Sequence, residues 1–147
     1  MIDNKNAEKN RLKQKRLFLL DMDGTLYLDD RLFDGAAEFL ADIKKSGGRY
    51  VFLTNNSSKG PENYVEKLAR MGLFVDSGRI VTSGQATIDY LKRNHPGKRV
   101  FLLGNELLTR EFEEEGIVLD DVNPEVVVTG FDTSLTYAKM CKVCDFV

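Results

Sequence analysis

Two acidic residues, Asp21 and Asp23, follow directly after an apolar run in the stretch FLLDMDGTLYL. Residues two apart on an extended chain point to the same side, so both carboxylates are expected to project together while Met22 points the other way. Two neighbouring carboxylates repel each other unless a proton or a cation relieves them. The pair therefore indicates a shared proton or a hard divalent ion, for which Mg²⁺ fits oxygen ligands best. A solvated turn that merely contains two acids is the alternative.

The residues after the second acid are suited to facing an anion. Gly24 has no Cβ and allows a sharp turn, so its own N–H and that of Thr25 are expected to be free for a group such as phosphate. The spacing excludes an EF-hand loop, because Leu32 stands where the twelfth position requires glutamate. A Walker-type phosphate loop is absent from the sequence.

A second polar cluster ends the next apolar run, in the stretch YVFLTNNSSKG. In a parallel sheet, Thr54, Asn55 and Asn56 would emerge at the same edge as the acid pair. A hydroxyl and an amide at that edge can donate hydrogen bonds to phosphate oxygens. Thr-Asn-Asn is by itself also a turn signal. The candidate anion-binding residues are therefore Gly24, Thr54, Asn55 and Asn56.

Short apolar runs that alternate with segments of helical period must position these residues. The candidate strands are nearly continuous in apolar residues, which is typical of strands covered on both faces; they are residues 17–20, 50–53, 100–103 and 126–128. Apolar residues recur at helical spacing over residues 36–43, 61–71, 86–91, 107–112 and 137–144. This alternation predicts an α/β fold of βαβ units with a mostly parallel sheet.

The two cysteines, Cys141 and Cys144, are expected to have a structural role. They share an apolar stripe with Tyr137 and Met140, so buried packing is favoured over zinc binding or redox chemistry. Two cysteines three residues apart give no disulfide framework of the kind that small secreted proteins use. The cysteine content therefore agrees with a reducing compartment.

Composition restricts the classes of function. The 147 residues include 21 basic and 23 acidic ones, for a formal net charge of −2, which indicates neither a nucleic-acid footprint nor a membrane surface. No apolar run approaches the roughly 18 residues that a membrane span requires, and the polar N-terminus has no signal-peptide pattern. We therefore expect a cytoplasmic protein whose partner is small and soluble.

The order of these motifs resembles the haloacid dehalogenase superfamily, and within it phosphatases similar to 4-nitrophenylphosphatase, pyridoxal phosphatase and phosphoglycolate phosphatase. FLLDMDGTLYL and FLTNNSSK resemble their first and second motifs, while VTSGQATIDYL and VVVTGFDTSLTYAKM resemble their cap segments. The resemblance implies a Rossmann-like parallel sheet, an incomplete core of the superfamily, followed by part of an α/β cap. The expected organisation is a polar N-terminal arm at 1–15, a core portion at 16–82 and a partial cap at 83–147.

The resemblance also implies a magnesium-dependent phosphatase that acts on a small phosphorylated metabolite. In that reaction Asp21 would attack phosphorus and form an aspartyl-phosphate, and Asp23 would act first as general acid and then as general base. Thr54 and Asn55 would hold the phosphoryl oxygens, and Asp21 with the Asp23 carbonyl would bind the Mg²⁺ ion.

Two further motifs of such enzymes have no match in the sequence. The family also carries a lysine in a third motif and aspartates in a fourth, but no GKP or GDxxxTD pattern occurs here, and Lys59 follows the second motif too closely to replace that lysine. The sequence therefore resembles an N-terminal half with impaired activity. The alternative is a catalytically silent fragment that binds magnesium or phosphate, forms a homo-oligomer, or pairs with a complementary chain through open sheet edges.

Overall fold

A computed structural model describes residue 11 and residues 14–147 of the chain. The predicted polar arm over residues 1–15 lies, except for residues 11, 14 and 15, outside this described part. Strands and helices follow in the order β1 (Leu17–Asp21), β2 (Tyr27–Leu28), β3 (Arg31–Leu32), α1 (Ala36–Lys45), β4 (Arg49–Thr54), α2 (Pro61–Arg70), β5 (Ile80–Thr82), α3 (Ser83–Asn94), β6 (Arg99–Leu103), α4 (Glu106–Glu114), β7 (Val118–Leu119), β8 (Val126–Thr129) and α5 (Tyr137–Phe146). None of the helices described here has both the length and the apolar character needed to cross a membrane.

The first sheet is parallel and has the strand order β1-β4-β5. Asp21 of β1 pairs with Leu53 of β4, and Thr54 pairs with Thr82 of β5, so the carboxyl ends of the three strands meet at one edge. A short antiparallel hairpin, β2-β3, follows directly after β1. The predicted α/β fold is confirmed, and the two polar clusters lie at the same edge of one sheet.

Helices α1 and α2 cover one face of this sheet. Both helices are amphipathic, and each ends at a glycine with positive φ shortly after its last turn, namely Gly47 after α1 and Gly72 after α2. The core that they form with the sheet consists of Met22, Leu26, Tyr27, Leu40, Ile43, Tyr50, Phe52, Tyr64, Leu68 and Ile80. This packing fixes the strand ends that carry the polar clusters.

The opposite face of β1 is exposed. Leu17 and Leu19 are 54% and 60% exposed, and Leu53 of the neighbouring strand is 37% exposed. The prediction that this strand is covered on both faces is therefore wrong for the described residues. The sequence pattern could not distinguish a strand covered on one face from a strand covered on both, because apolar residues occupy both faces in either case.

The second sheet is also parallel and has the order β7-β6-β8. Helices α3 and α4 pack on one face, where the buried core consists of Ile88, Leu91, Val100, Leu108 and Phe112. Helix α5 packs on the other face, where the rings of Phe101 and Phe146 lie 5.1 Å apart. This half therefore has a helix–sheet–helix arrangement, as expected for parallel strands.

The predicted apolar stripe of the last helix is not buried. Cys141 and Cys144 are both exposed, and so are Tyr137 and Met140. Helix α5 contacts the sheet through Phe146 instead, which lies on another face of the helix. The prediction of buried structural cysteines is therefore wrong in this structure, because no described element packs against that stripe.

The two sheets are joined by a short and well-bonded junction. Strand β5 runs directly into α3, and the Thr82 hydroxyl caps that helix by accepting the N–H of Gln85 at 3.2 Å. The Asn105 side chain donates to the Ser58 carbonyl at 2.8 Å, and the Phe131 N–H donates to the Ser57 hydroxyl at 2.8 Å. The loop after β4 is therefore held by the second half of the molecule.

Candidate active site

The acid pair lies at the carboxyl end of β1, as the strand alternation predicts. Asp21 is the last residue of the strand, and both Asp21 and Asp23 are exposed, whereas Met22 between them is completely buried under the helices. The Thr25 hydroxyl donates a hydrogen bond to Asp21 Oδ2 at 3.2 Å. Two carboxylates thus point away from the core at the sheet edge where open α/β sheets bind ligands.

The turn after Asp23 closes on itself. Gly24 has φ 77°, which favours glycine, and its N–H donates to the Tyr27 carbonyl at 2.8 Å. The Thr25 N–H donates to the Met22 carbonyl at 3.2 Å. The expectation that these two N–H groups are free to face an anion is wrong here, because the tight turn uses both of them.

The second polar cluster begins at the last residue of β4 and continues into the loop after that strand. Thr54 is buried and Asn55 is exposed, and the Asn55 carbonyl accepts a hydrogen bond from the Ser83 hydroxyl at 2.8 Å. The Asn56 carboxamide oxygen accepts both the N–H and the hydroxyl of Ser58, at 2.9 and 2.7 Å. Asn56 thus shapes the loop, while Asn55 is an exposed residue at the same edge of the sheet as Asp21.

A lysine that sequence reasoning overlooked also reaches this site. Lys67 of α2 places its Nζ 3.6 Å from Asp23 Oδ1 and 4.2 Å from the centre of the Tyr27 ring. Its neighbours Tyr64 and Leu68 are fully buried, so Lys67 belongs to the inward face of an amphipathic helix. A charged residue within a helical apolar stripe is the sequence signal that could have identified it.

Two buried tyrosines lie behind the acid pair. The hydroxyl groups of Tyr27 and Tyr64 have no hydrogen-bond partner among the described residues. Burial raises the pKa of Tyr27 strongly, and the nearby negative charge of Asp23 raises it further. Burial also raises the pKa of Tyr64, and the negative charge of Asp23 adds to this. Both phenols therefore remain neutral at physiological pH.

The donor set at this edge is compatible with magnesium. Among the described residues there is no group of three or more His, Cys, Asp or Glu side chains that could hold a metal ion, so Asp21 and Asp23 supply at most two carboxylates. Mg²⁺ commonly binds one or two carboxylates and fills its remaining positions with water and substrate phosphate oxygens. A closed structural zinc site, by contrast, requires four protein ligands.

The fold and this site together define a class of protein. The chain belongs to the haloacid dehalogenase-like hydrolases, whose family model matches residues 18–118. The match includes both strand ends that carry the polar clusters. The resemblance found in the sequence motifs is therefore confirmed.

Individual relatives are phosphatases. An acid sugar phosphatase of Staphylococcus aureus (strain USA300) is 37% identical over 130 residues, which are 88% of this chain and 50% of that protein. The structure of 4-nitrophenylphosphatase from Thermotoga maritima has a TM-score of 0.87 and 47% identity, with coverage of 92% of this chain and 52% of that chain. A glycerol phosphate phosphatase of Mycobacterium tuberculosis in complex with magnesium has a TM-score of 0.78 and 25% identity, with coverage of 88% and 40%. The chain thus spans about half the length of the curated relatives it matches.

Proposed function

We propose that this chain carries the nucleophile half of a magnesium-dependent phosphatase for small phosphomonoesters. The observation that supports this most strongly is the placement of Asp21 and Asp23 at the end of β1, beside Thr54 and Asn55 at the end of the paired strand β4. Phosphatases among the relatives, one of them in complex with magnesium, support the same reading. The substrate class is a small phosphorylated metabolite.

In the proposed reaction, each carboxylate has a separate task. A carboxylate oxygen of Asp21 forms a bond to phosphorus as the bond to the ester oxygen breaks, and Asp23 donates its proton to that departing oxygen. Asp23 then takes a proton from water as the water oxygen attacks phosphorus, which releases phosphate and frees Asp21. Thr54 and Asn55 would orient the phosphoryl oxygens, with Gly24 shaping the turn that follows Asp23.

Magnesium would be held by Asp21 and the Asp23 carbonyl, and when bound it would offset the negative charge that carboxylate and phosphate bring together. The 147 residues contain neither a GKP nor a GDxxxTD pattern. Charge compensation within this chain is therefore incomplete, and we infer that turnover by it alone is slow.

We also propose a division of the chain into a core portion at residues 16–82 and a partial cap at residues 83–147. The two parallel sheets with separate hydrophobic cores support this division, and Thr82 lies where the last strand of one sheet meets the first helix of the other. The core portion that carries the nucleophile and the partial cap would then be distinct units.

The proposed activity is tested by the release of p-nitrophenol from p-nitrophenyl phosphate, with and without magnesium. We expect magnesium-dependent turnover that disappears in Asp21→Asn, because an amide cannot form the covalent intermediate. Asp42→Asn is the matched control, since Asp42 is an exposed aspartate on α1 whose ion-pair partner among the described residues is Lys45. Turnover that survives in Asp21→Asn at the wild-type rate contradicts the proposal.

A second candidate function is suggested by the exposed face of β1. Strand β1 is an edge strand of its sheet, and the apolar side chains of Leu17 and Leu19 face solvent beside the catalytic strand end. An open edge with an exposed apolar face is prone to pair with another polypeptide. The chain would then act as a silent half that binds magnesium or phosphate and is completed by a complementary chain.

This second candidate is tested by light scattering after size-exclusion chromatography, with the chain alone and mixed with the C-terminal half of a relative such as the acid sugar phosphatase. A stable one-to-one complex that is lost in Leu19→Lys supports complementation, and a homodimer lost in the same variant supports self-association. The exposed Val122→Lys is the control, because Val122 lies in the loop before β8, away from that face. A monomer in every mixture contradicts this candidate.

A further inference from the structure

Lys67 places a positive charge beside Asp23, and the proposed reaction assigns this lysine no role. Lys67 Nζ lies 3.6 Å from Asp23 Oδ1, and the lysine side chain is 17% exposed while that of Asp23 is 53% exposed. Among the described residues, Asp23 is the only carboxylate within ion-pair distance of this lysine. A mostly buried ammonium group with one carboxylate partner is costly to separate from that partner.

Lys67 is held in place by a rigid element. It belongs to α2, between Tyr64 and Leu68, which are both buried in the core under the first sheet. Its ammonium group lies 4.2 Å from the centre of the Tyr27 ring, within the range of a cation–π contact. Both contacts limit the positions that the ammonium group can take.

Tyr27 also ties the backbone of the acid to the same cluster. Asp23 and Tyr27 form an isolated backbone bridge, and the Gly24 N–H donates to the Tyr27 carbonyl at 2.8 Å. Tyr27 itself is completely buried. Tyr27 thus restrains the main chain of Asp23, and Lys67 restrains its carboxylate. The Lys67 ammonium group in turn contacts the Tyr27 ring.

We propose that Lys67 is a positioning residue for Asp23, which it holds in the orientation needed to protonate the leaving oxygen. After Asp23 has given up its proton, the ammonium group also offsets the negative charge left on the carboxylate. The Tyr27 ring supports the lysine through the cation–π contact with its ammonium group. This inference rests on the proposed function, because it assigns Lys67 a part in the step that Asp23 carries out.

The role predicts a dependence on the leaving group that a merely structural lysine would not produce. A nitrophenolate leaves without much help from a proton, whereas an alkoxide needs protonation as it departs. Lys67→Met should therefore lower kcat on the order of 10- to 100-fold for an alkyl phosphate such as glycerol phosphate, with KM little changed. The loss with p-nitrophenyl phosphate should be several-fold smaller. Lys67→Arg keeps the charge and should restore most of the lost rate.

The matched control is Lys44→Met. Lys44 also places its ammonium group over a tyrosine ring, 5.4 Å from the centre of Tyr50, but it lies on α1 outside the candidate site. We expect this variant to have wild-type kinetics with both substrates. Equal losses for Lys67→Met with both substrates, or no loss with the alkyl phosphate, would overturn the proposal. Asp21→Asn separates a failure of the Lys67 role from a failure of the proposed phosphatase function. Full activity in Asp21→Asn contradicts the proposed function itself.

A second readout tests the pairing of Lys67 with Asp23 even in a chain with no measurable turnover. The ammonium groups of lysines can be observed individually by ¹H–¹⁵N NMR when an ion pair slows their hydrogen exchange. Asp23→Asn should shift or broaden the Lys67 signal and leave the Lys44 signal in place. A Lys67 signal that does not respond to Asp23→Asn overturns the inference, whatever the rate of catalysis.

Discussion

At the scale of single residues, Asp21 and Asp23 have different surroundings although only Met22 separates them. The carboxylate of Asp21 accepts a hydrogen bond from the Thr25 hydroxyl, whereas that of Asp23 faces the Lys67 ammonium group. In the proposed reaction Asp21 is the nucleophile and Asp23 the proton donor, so the two tasks fall to carboxylates with different partners. The two acids are therefore expected to respond differently to substitution.

Asp23→Asn should remove the proton donor and leave the nucleophile in place. We expect kcat for an alkyl phosphate to fall by about 10²-fold or more, because the alkoxide then departs unprotonated. The fall with p-nitrophenyl phosphate should be markedly smaller. Steady-state kinetics with both substrates measures this ratio. An equal loss with both substrates would show that Asp23 does not protonate the leaving group.

The residues of the site were predictable to different degrees. The placement of the Asp21 and Asp23 carboxylates on one side of a strand end could be predicted, because strand alternation is visible in the sequence. The hydrogen bonds of the Gly24 and Thr25 N–H groups could not, because they depend on how the turn closes onto the Met22 and Tyr27 carbonyls. Lys67 lies more than forty positions from Asp23, so only tertiary packing brings the two together.

At the scale of elements, helix α4 carries a carboxyl group in an unfavourable place. Burial raises the pKa of Glu111, and the negative charges of Glu62, Glu115 and Glu114 raise it further. Its carboxyl group lies near the junction, where an added Cβ on Gly84 would be 3.1 Å from Glu111 Oε2. The folded state therefore binds a proton at Glu111 more tightly than the unfolded state does.

This difference in proton binding predicts a pH dependence of stability. The unfavourable contribution is absent below the ordinary glutamate pKa of 4.5 and grows as the pH rises through the raised pKa of the folded state. Glu111→Gln should therefore be more stable than the wild type at neutral pH, with an advantage that shrinks as the pH falls toward 4.5.

Urea unfolding across this pH range measures the effect. Glu113→Gln is the control, since Glu113 is an exposed residue of the same helix. This variant reports the effect of removing an exposed carboxylate from the same helix. A stability difference for Glu111→Gln that is constant with pH would contradict the assigned cause.

Long elements were predictable from the sequence and short ones were not. Strands β1, β4, β6 and β8 and all the helices among the described residues follow apolar runs or helical periods that are visible in the sequence. The strands β2, β3, β5 and β7 have only two or three residues, too few to show any period. Their pairing depends on neighbouring strands, which supply the hydrogen bonds that a short run cannot specify alone.

At the scale of the whole molecule, the second half packs closely around Leu108, next to the loop after β4. Added Cβ atoms on Gly84, Gly104 and Gly130 would lie 2.9, 2.9 and 2.6 Å from methyl carbons of Leu108. Gly130 also approaches the Ser57 hydroxyl, at 2.9 Å from its added Cβ. The loop that carries Asn55 and the second sheet are thus held together at a site with no room for a side chain.

Gly130→Ala should therefore destabilise the junction. The added methyl group must displace Leu108 or the Ser57 hydroxyl, which accepts the Phe131 N–H, and we expect a loss of about 1–3 kcal/mol in the free energy of unfolding. Chemical unfolding measures the loss. Gly97→Ala is a control, because its added Cβ meets no atom within 4 Å and its cost comes only from the positive φ of 71°. A smaller loss at Gly130 than at Gly97 would contradict the close packing.

The contact between the two sheets could not be predicted from the sequence. The sequence motifs predict two α/β parts and the order of their elements, but the bonds from Asn105 and Phe131 to the Ser57–Ser58 loop join residues 47 and 74 positions apart. Such contacts depend on the packing of complete units. The exposed faces of Leu19 and Met140 likewise depend on which elements cover them.

We propose that Asp21 is the nucleophile, and covalent trapping of the phosphorylated chain tests this assignment directly. The chain is mixed with p-nitrophenyl phosphate and magnesium and quenched in acid, and its peptides are analysed by mass spectrometry. We predict one added phosphoryl group on the peptide that contains Asp21 and none in Asp21→Asn. Magnesium-dependent release of p-nitrophenol that continues in Asp21→Asn, or a phosphoryl group on another peptide, would show that Asp21 is not the nucleophile.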